Sequence, residues 1–145
     1  MKPNEIMIGD WVRRRYITKP SGQEVVRDFR VDQIRRLFKD DEPDVWGDNG
    51  NMGTAEQMQP IPLTPEILEK NGWEERRVYD PYMYYLLTGK DYSVSLSKEW
   101  DSTTKTYYWS LSIGNHRTDA SLSVDYVHQL QHALRLCGIE KEVVL

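Results

Sequence analysis

Two stretches of the chain alternate apolar and polar residues with a period of two. In residues 92–98, Tyr92, Val94 and Leu96 alternate with Ser93, Ser95 and Ser97. In residues 107–113, Tyr107, Trp109, Leu111 and Ile113 fall on one side. Successive side chains of a strand point to opposite faces, so each stretch predicts a strand with one buried and one wet face. The polar linker of residues 101–106 predicts an antiparallel hairpin with a longish loop, closed by Gly114-Asn115. Further on the period becomes helical. Val127, Leu130, Leu134 and Cys137 recur at spacings of 3, 4 and 3, which predicts an amphipathic helix over about residues 124–137. Ser123 reads as its cap, Asp125 lies in its first turn and Gly138 is its stop. Leu122 and Val127 have the spacing of a hydrophobic staple. Cys137, on the apolar stripe, reads as a small buried side chain.

Residues 60–73 carry the most complete local signal. Thr64 can cap the first N–H groups of a helix, and Pro65 suits the first helical position. Glu66 lies where the helix dipole favours negative charge. Leu63 and Leu68 can staple the entry, and Asn71-Gly72 ends the helix at about residue 71. Ile67 and Leu68 are expected to face inward. Pro60 and Pro62 make the lead-in extended.

The first 60 residues show no helical period. Residues 6–12 form a short apolar stretch broken by Gly9-Asp10, and residues 25–34 alternate around Phe29 and Val31. Lys19-Pro20-Ser21-Gly22 is a turn. Val45-Trp46 lies in a loop-like stretch rich in Asp, Asn, Gly and Pro. Short strands and polar turns at this spacing predict a small, strongly bent sheet or barrel. Residues 78–87 are rich in tyrosine and broken by Asp80-Pro81, and their pattern chooses neither helix nor strand.

The stretch Ile8-Gly9-Asp10-Trp11-Val12 resembles the opening strand of SH3-like barrels. Together with residues 60–73 and Tyr126-Val127-His128-Gln129-Leu130-Gln131, it also resembles an uncharacterised family of small bacterial proteins, often found near mobile elements or prophages. That family has no established activity, so the resemblance implies no functional residues. The expected fold is therefore α+β. A β-rich, SH3-like module spans residues 1–60, and residues 61–145 form an antiparallel hairpin sheet packed by a short and a long helix. Trp73 and Trp100, near element ends, are expected to seal the edges of that core.

Composition narrows the function classes. The single cysteine excludes an internal disulfide framework and a cysteine-based zinc cluster. No apolar run approaches a membrane span, and residues 1–5 lack an apolar signal region, so a cytoplasmic chain without a membrane partner is expected. The net charge is −4, unevenly spread. Residues 1–40 hold ten Lys/Arg and six Asp/Glu (+4), and residues 41–145 hold nine and seventeen (−8). The basic excess includes Arg13-Arg14-Arg15 and Arg35-Arg36, which makes nucleic acid a possible partner.

Candidate chemistry is sparse. Asp125, His128, His132 and Arg135 fall opposite the Leu130/Leu134 stripe. Two histidines four residues apart can share a metal, with Asp125 adding an oxygen. The zincin pattern needs Glu after the first histidine, and here that residue is Gln129. The preferred reading of these residues is the outward polar face of an amphipathic helix. His116 lies in the preceding loop. There is no Gly-x-Ser-x-Gly elbow, dinucleotide fingerprint or P-loop, and no cofactor or catalytic residue is expected.

Binding is the leading expectation, with a protein partner or self-association. Trp11, Tyr16 and Trp46 are candidate contact aromatics on the first module, although the preferred reading of Trp11 and Phe29 is that they fill its small core. Arg13, Arg14, Arg15, Arg35 and Arg36 are the candidate basic contacts. Tyr82, Tyr84 and Tyr85 form the other candidate surface. The alternatives are a nucleic-acid-binding accessory protein, a metal-dependent hydrolase using His128 and His132, and a structural homo-oligomer.

Overall fold

The computed structural model describes residues 1–36, 42–79, 82–113 and 121–145. His116, Gly114-Asn115 and Asp80-Pro81 lie outside the described residues. The chain divides into two compact units. One comprises Met1–Ile61 with Tyr126–Cys137, the other Pro62–Asp125 with Gly138–Leu145.

The first unit is an antiparallel sheet of β1 (Trp11–Ile17), β2 (Glu24–Arg35), β3 (Asp44–Gly47), β4 (Met52–Thr54) and β5 (Met58–Pro60), in the order β4-β3-β2-β1-β5. A single turn of 3-10 helix, Ala55–Gln57, joins β4 to β5. The sheet is open, with β4 and β5 as its edges, and a closed SH3-like barrel is not what the described strands form. The long strand β2 pairs with β1 through one part and with β3 through the next, and its register shifts between Val31 and Gln33. This slip is the one visible in the sequence between Val31 and Ile34. It bends the strand so that Phe29, Val31 and Val45 can share a core with Ile6, Val12, Ala55 and Met58. Gly47 makes room for it: a Cβ there would lie 2.4 Å from the Phe29 ring. Phe29 is fully buried, whereas Trp11 is only half-buried.

The second unit contains α1 (Pro65–Lys70) and five antiparallel strands. These are β6 (Glu74–Tyr79), β7 (Tyr82–Thr88), β8 (Ser93–Asp101), β9 (Thr106–Ile113) and β10 (Ser121–Ser123), in the order β10-β9-β8-β7-β6. The tyrosine-rich stretch is thus β6 and β7. The expected hairpin is β8 with β9, and Leu96 lies opposite Leu111. The Asp101 carboxylate holds the turn by accepting from Thr103 N (2.8 Å), Thr104 N (3.3 Å) and Thr104 Oγ1 (2.8 Å). These bonds hold its carboxyl below the usual range.

Helix α1 starts and stops as its sequence dictates. Thr64 Oγ1 accepts from Ile67 N at 3.4 Å, Leu63 and Leu68 are buried, and Gly72 takes φ +76°. Thr64 also holds the Glu66 carboxyl low. The lead-in is fastened to the sheet, where Trp109 Nε1 donates to Leu63 O at 3.2 Å. Tyr85 meets the Trp109 ring edge-on at 5.8 Å. Trp73 is buried as expected, but Trp100 is 52% exposed and seals nothing.

Four expectations for the terminal helix are corrected. Helix α2 runs Val127–Leu136 with Tyr126 as its N-cap, three residues later than Ser123. Ser123 ends β10, and Leu122, 52% exposed, staples nothing. In place of a Ser cap, Gln129 Oε1 reaches back to accept from Tyr126 N at 3.3 Å. Helix α2 also groups with the first unit, whereas the hairpin sheet and α1 group with the second. Cys137, at the helix C-cap, is exposed rather than buried.

Asn71 binds the last residues of the chain to the end of α1. Its Nδ2 donates to Ile67 O and Val144 O, both at 2.7 Å, and its Oδ1 accepts from Val144 N at 2.9 Å. Asn71→Ala is expected to destabilise the fold by about 1–3 kcal/mol, because three hydrogen bonds from a buried side chain to part-buried backbone groups are lost. Urea unfolding measures the change; a midpoint within error of wild type would show that the tail contributes nothing.

Candidate functional site

Buried polar groups converge at the turn that opens β1. Gly9 takes φ +89°, where glycine is at ease, and a Cβ on it would come within 2.6 Å of Arg135 Nη2. Gly9 N donates to Val31 O (2.6 Å) and Val31 N to Asp10 O (2.8 Å), which fixes the turn against β2. The Asp10 side chain is thereby directed inward and is 0% exposed. Its carboxylate accepts from Met7 N at 2.8 Å. His132 Nε2 lies 2.9 Å from both oxygens, and Arg135 Nη1 lies 3.6 Å from Oδ1. Gln131 Nε2 donates to Gly9 O at 3.0 Å.

The polar face of α2 is therefore not an outward face. Gln131 is 1% exposed and His128 4%. His128 stacks on Tyr126, and its ring centre lies 5.8 Å from that of His132. His128 Nδ1 is buried without a hydrogen-bond partner. Burial is the main cause that lowers the His128 pKa from its ordinary 6.5. Asp10 opposes that shift, His132 adds to it, and Glu5 and the terminal amine act more weakly in opposite senses.

A cleft of about 530 Å³ opens beside these histidines, lined by Met1, Asn4, Glu5, Met7, Pro60, Tyr126, His128, Gln129 and His132. A carboxylate that holds one ring nitrogen can orient an imidazole as a base. Among the described lining residues none is Ser, Thr or Cys, and the one hydroxyl is the Tyr126 phenol. Among the described residues no group of three or more His, Cys, Asp or Glu is placed to hold a metal. Asp125, expected beside the histidines, instead accepts from Trp109 N at 3.0 Å in the second unit. The residue that does join them is Asp10, visible in the sequence only as half of a Gly-Asp turn.

The other candidate residues separate into engaged and open groups. Arg13 donates twice to Asp28, at 2.7 and 2.8 Å, and that bond raises its pKa. Arg15 lies 3.6 Å from Glu24. Arg14 donates to Met52 O and covers the Tyr16 ring at 4.8 Å. Arg35 lies over Trp46 at 5.8 Å, and Arg36 is exposed. Trp11, Tyr16 and Trp46 are all half-buried. The basic run is thus largely paired on its own sheet. Tyr85 is 1% exposed and cannot be a contact residue, Tyr84 is half-buried, and Tyr82 is exposed.

Sequence reasoning missed the aromatic end of the second sheet. Trp100 and Tyr107 face each other across β8 and β9 with ring centres 4.8 Å apart, 52% and 63% exposed. They share a face with Leu96 and Leu111 but lie beyond its buried half. The Lys98 ammonium sits 5.5 Å from the Tyr107 ring centre and 5.8 Å from that of Trp109. Tyr79, the last residue of β6, and Tyr82, the first of β7, lie at the same end of the sheet and stack at 5.5 Å. Alternation alone assigned Tyr107 to the buried face; strand length decides that the cover ends before it.

No family model, no curated protein and no solved structure matches the chain.

Two outcomes test the buried cluster. Asp10→Ala removes the acceptor shared by Met7 N, His132 and Arg135, and is expected to cost about 3 kcal/mol in chemical denaturation; a loss below about 0.5 kcal/mol would show the cluster to be superficial. The second concerns pH. A histidine with a lowered folded pKa binds its proton more readily in the unfolded chain. Its stabilising effect is complete above 6.5 and is lost as pH falls below that value. Melting temperature should therefore drop on acidification below 6.5, and His128→Phe should flatten that drop; an unchanged pH profile would exclude His128 as its source.

Proposed function

We propose that the protein is a non-catalytic binding protein that contacts another protein through the aromatic end of its second sheet. The observation that carries this reading is the Trp100–Tyr107 pair, two rings in tilted contact at 4.8 Å and both more than half exposed. Large aromatics anchor protein interfaces because they bury much apolar area at small entropic cost. Lys98 beside them supplies a cation for an acceptor on the partner. The stacked Tyr79 and Tyr82 extend the aromatic surface at the same end.

Electrostatics favour a protein over a nucleic acid. Residues 62–125, which carry these aromatics, hold seven Lys/Arg against ten Asp/Glu, an unfavourable balance for phosphate. The arginines of the first unit are largely committed to Asp28, Glu24 and backbone oxygen. For the first unit, an SH3-like strand order in an open sheet, not a closed barrel, is supported by its continuous five-stranded order and by the 3-10 turn before β5. The resemblance to small bacterial proteins of mobile elements fits a cytoplasmic adaptor of this kind.

Capture from host lysate with immobilised protein tests the proposal. Trp100→Ala with Tyr107→Ala is expected to reduce the captured partner at least tenfold, since interface anchors carry about 2 kcal/mol or more each. An unchanged captured set, with an unchanged melting temperature, would remove the aromatic end as the contact. Retarded DNA or RNA that is released by salt would favour the nucleic-acid alternative instead.

A further inference from the structure

We propose that β6 is the edge by which two copies of this chain pair, strand against strand, about a two-fold axis. This goes beyond the aromatic contact and does not rest on it. Strand β6 is the last of its sheet, and all six of its residues are exposed. An edge strand presents a row of outward N–H and C=O groups to any strand that fits beside it.

The side chains select what fits. The strand begins Glu74-Glu75-Arg76-Arg77, so each face carries one acid and one base two residues apart. Within one copy these same-face neighbours already pair, Arg76 with Glu74 and Arg77 with Glu75. A two-fold axis normal to the sheet makes the two edge strands antiparallel and keeps every residue on its own face. In one register Glu74 and Arg76 of one copy then meet Arg76 and Glu74 of the other; in a neighbouring register Glu75 and Arg77 meet Arg77 and Glu75. A register centred on Arg76 sets Glu75 opposite Arg77 twice; one centred on Glu75 sets Glu74 opposite Arg76 twice. In both, the like pair on the axis has opposite charges at its diagonals, within reach of long side chains. Charges of one sign on an edge repel a second copy. Here the four charges cancel on each face, and the segment is its own complement. Val78 and Tyr79, 61% and 66% exposed, lie where the second strand would cover apolar surface.

Light scattering of the intact protein across a concentration series tests this. The mass should rise from 17.1 kDa toward twice that value, with a dissociation constant on the order of 10 µM for so small an interface. Glu74→Arg with Glu75→Arg gives a strand of four positive charges, and Arg76→Glu with Arg77→Glu gives four negative ones. Each variant alone should dimerise at least about tenfold more weakly. Mixing the two should restore a dimer containing one of each. Added salt should weaken the wild-type dimer as well, which tests the pairing even if a variant fails to fold. Wild type that stays at monomer mass at every concentration, or variants that dimerise as wild type does and gain nothing on mixing, would overturn the proposal. A failed lysate capture would leave these results untouched, so the two proposals fail separately.

Discussion

The first unit depends on one fully buried carboxylate. Asp10 and His132 are 122 residues apart in the chain, yet they meet at 2.9 Å. Burying a carboxylate costs several kcal/mol unless donors surround it. Asp10 has the Met7 N–H, the His132 ring and the Arg135 guanidinium around it. Those donors come from the turn itself and from α2, so the charge that makes the site costly also specifies which helix must lie there. Gly9 is part of the same requirement, because its carbonyl receives Gln131 and its missing side chain leaves room for Arg135.

How much of this could be read beforehand follows from the range of each signal. Helix α1 was legible to within one residue because Thr64, Pro65 and Gly72 act on their immediate neighbours. The β8–β9 hairpin was legible because alternation and a polar loop are local too. The start of α2 was less so: Ser123 looks like a cap, but pairing with Ser110 in the sheet held it in β10, and the helix began after Tyr126. The partner of α2 was not legible at all. Periodicity says that Leu130 and Leu134 must be buried, and it reads His128 and His132, with Asp125 and Arg135, as the outward polar face. Only the tertiary meeting with Asp10 reverses that reading. Asp125 was misplaced for the same reason, since its carboxylate accepts from Trp109 N, a contact that lies outside any helical wheel.

The second sheet shows two ways in which a surface can leave its chemistry open. At its aromatic end, β8 and β9 run past the covered part of their face, so Trp100 and Tyr107 continue a core pattern into water. Along β6 the opposite holds, with charges on both faces and no buried residue. One surface favours an apolar partner with a few polar contacts. The other favours an antiparallel strand of matching charge order.

The route of the chain through the first unit has a consequence for synthesis. Residues 1–61 emerge long before residues 126–137, with all the strands of the second unit between them. Until α2 is made, the Asp10 carboxylate lacks His132 and Arg135, and the nascent sheet cannot reach its final form. The second unit can gather most of its strands in order as they leave the ribosome, because each pairs with its sequence neighbour. Folding that begins at the amino terminus is therefore completed from the other end of the chain, and premature termination before residue 126 would yield two incomplete units rather than one finished domain.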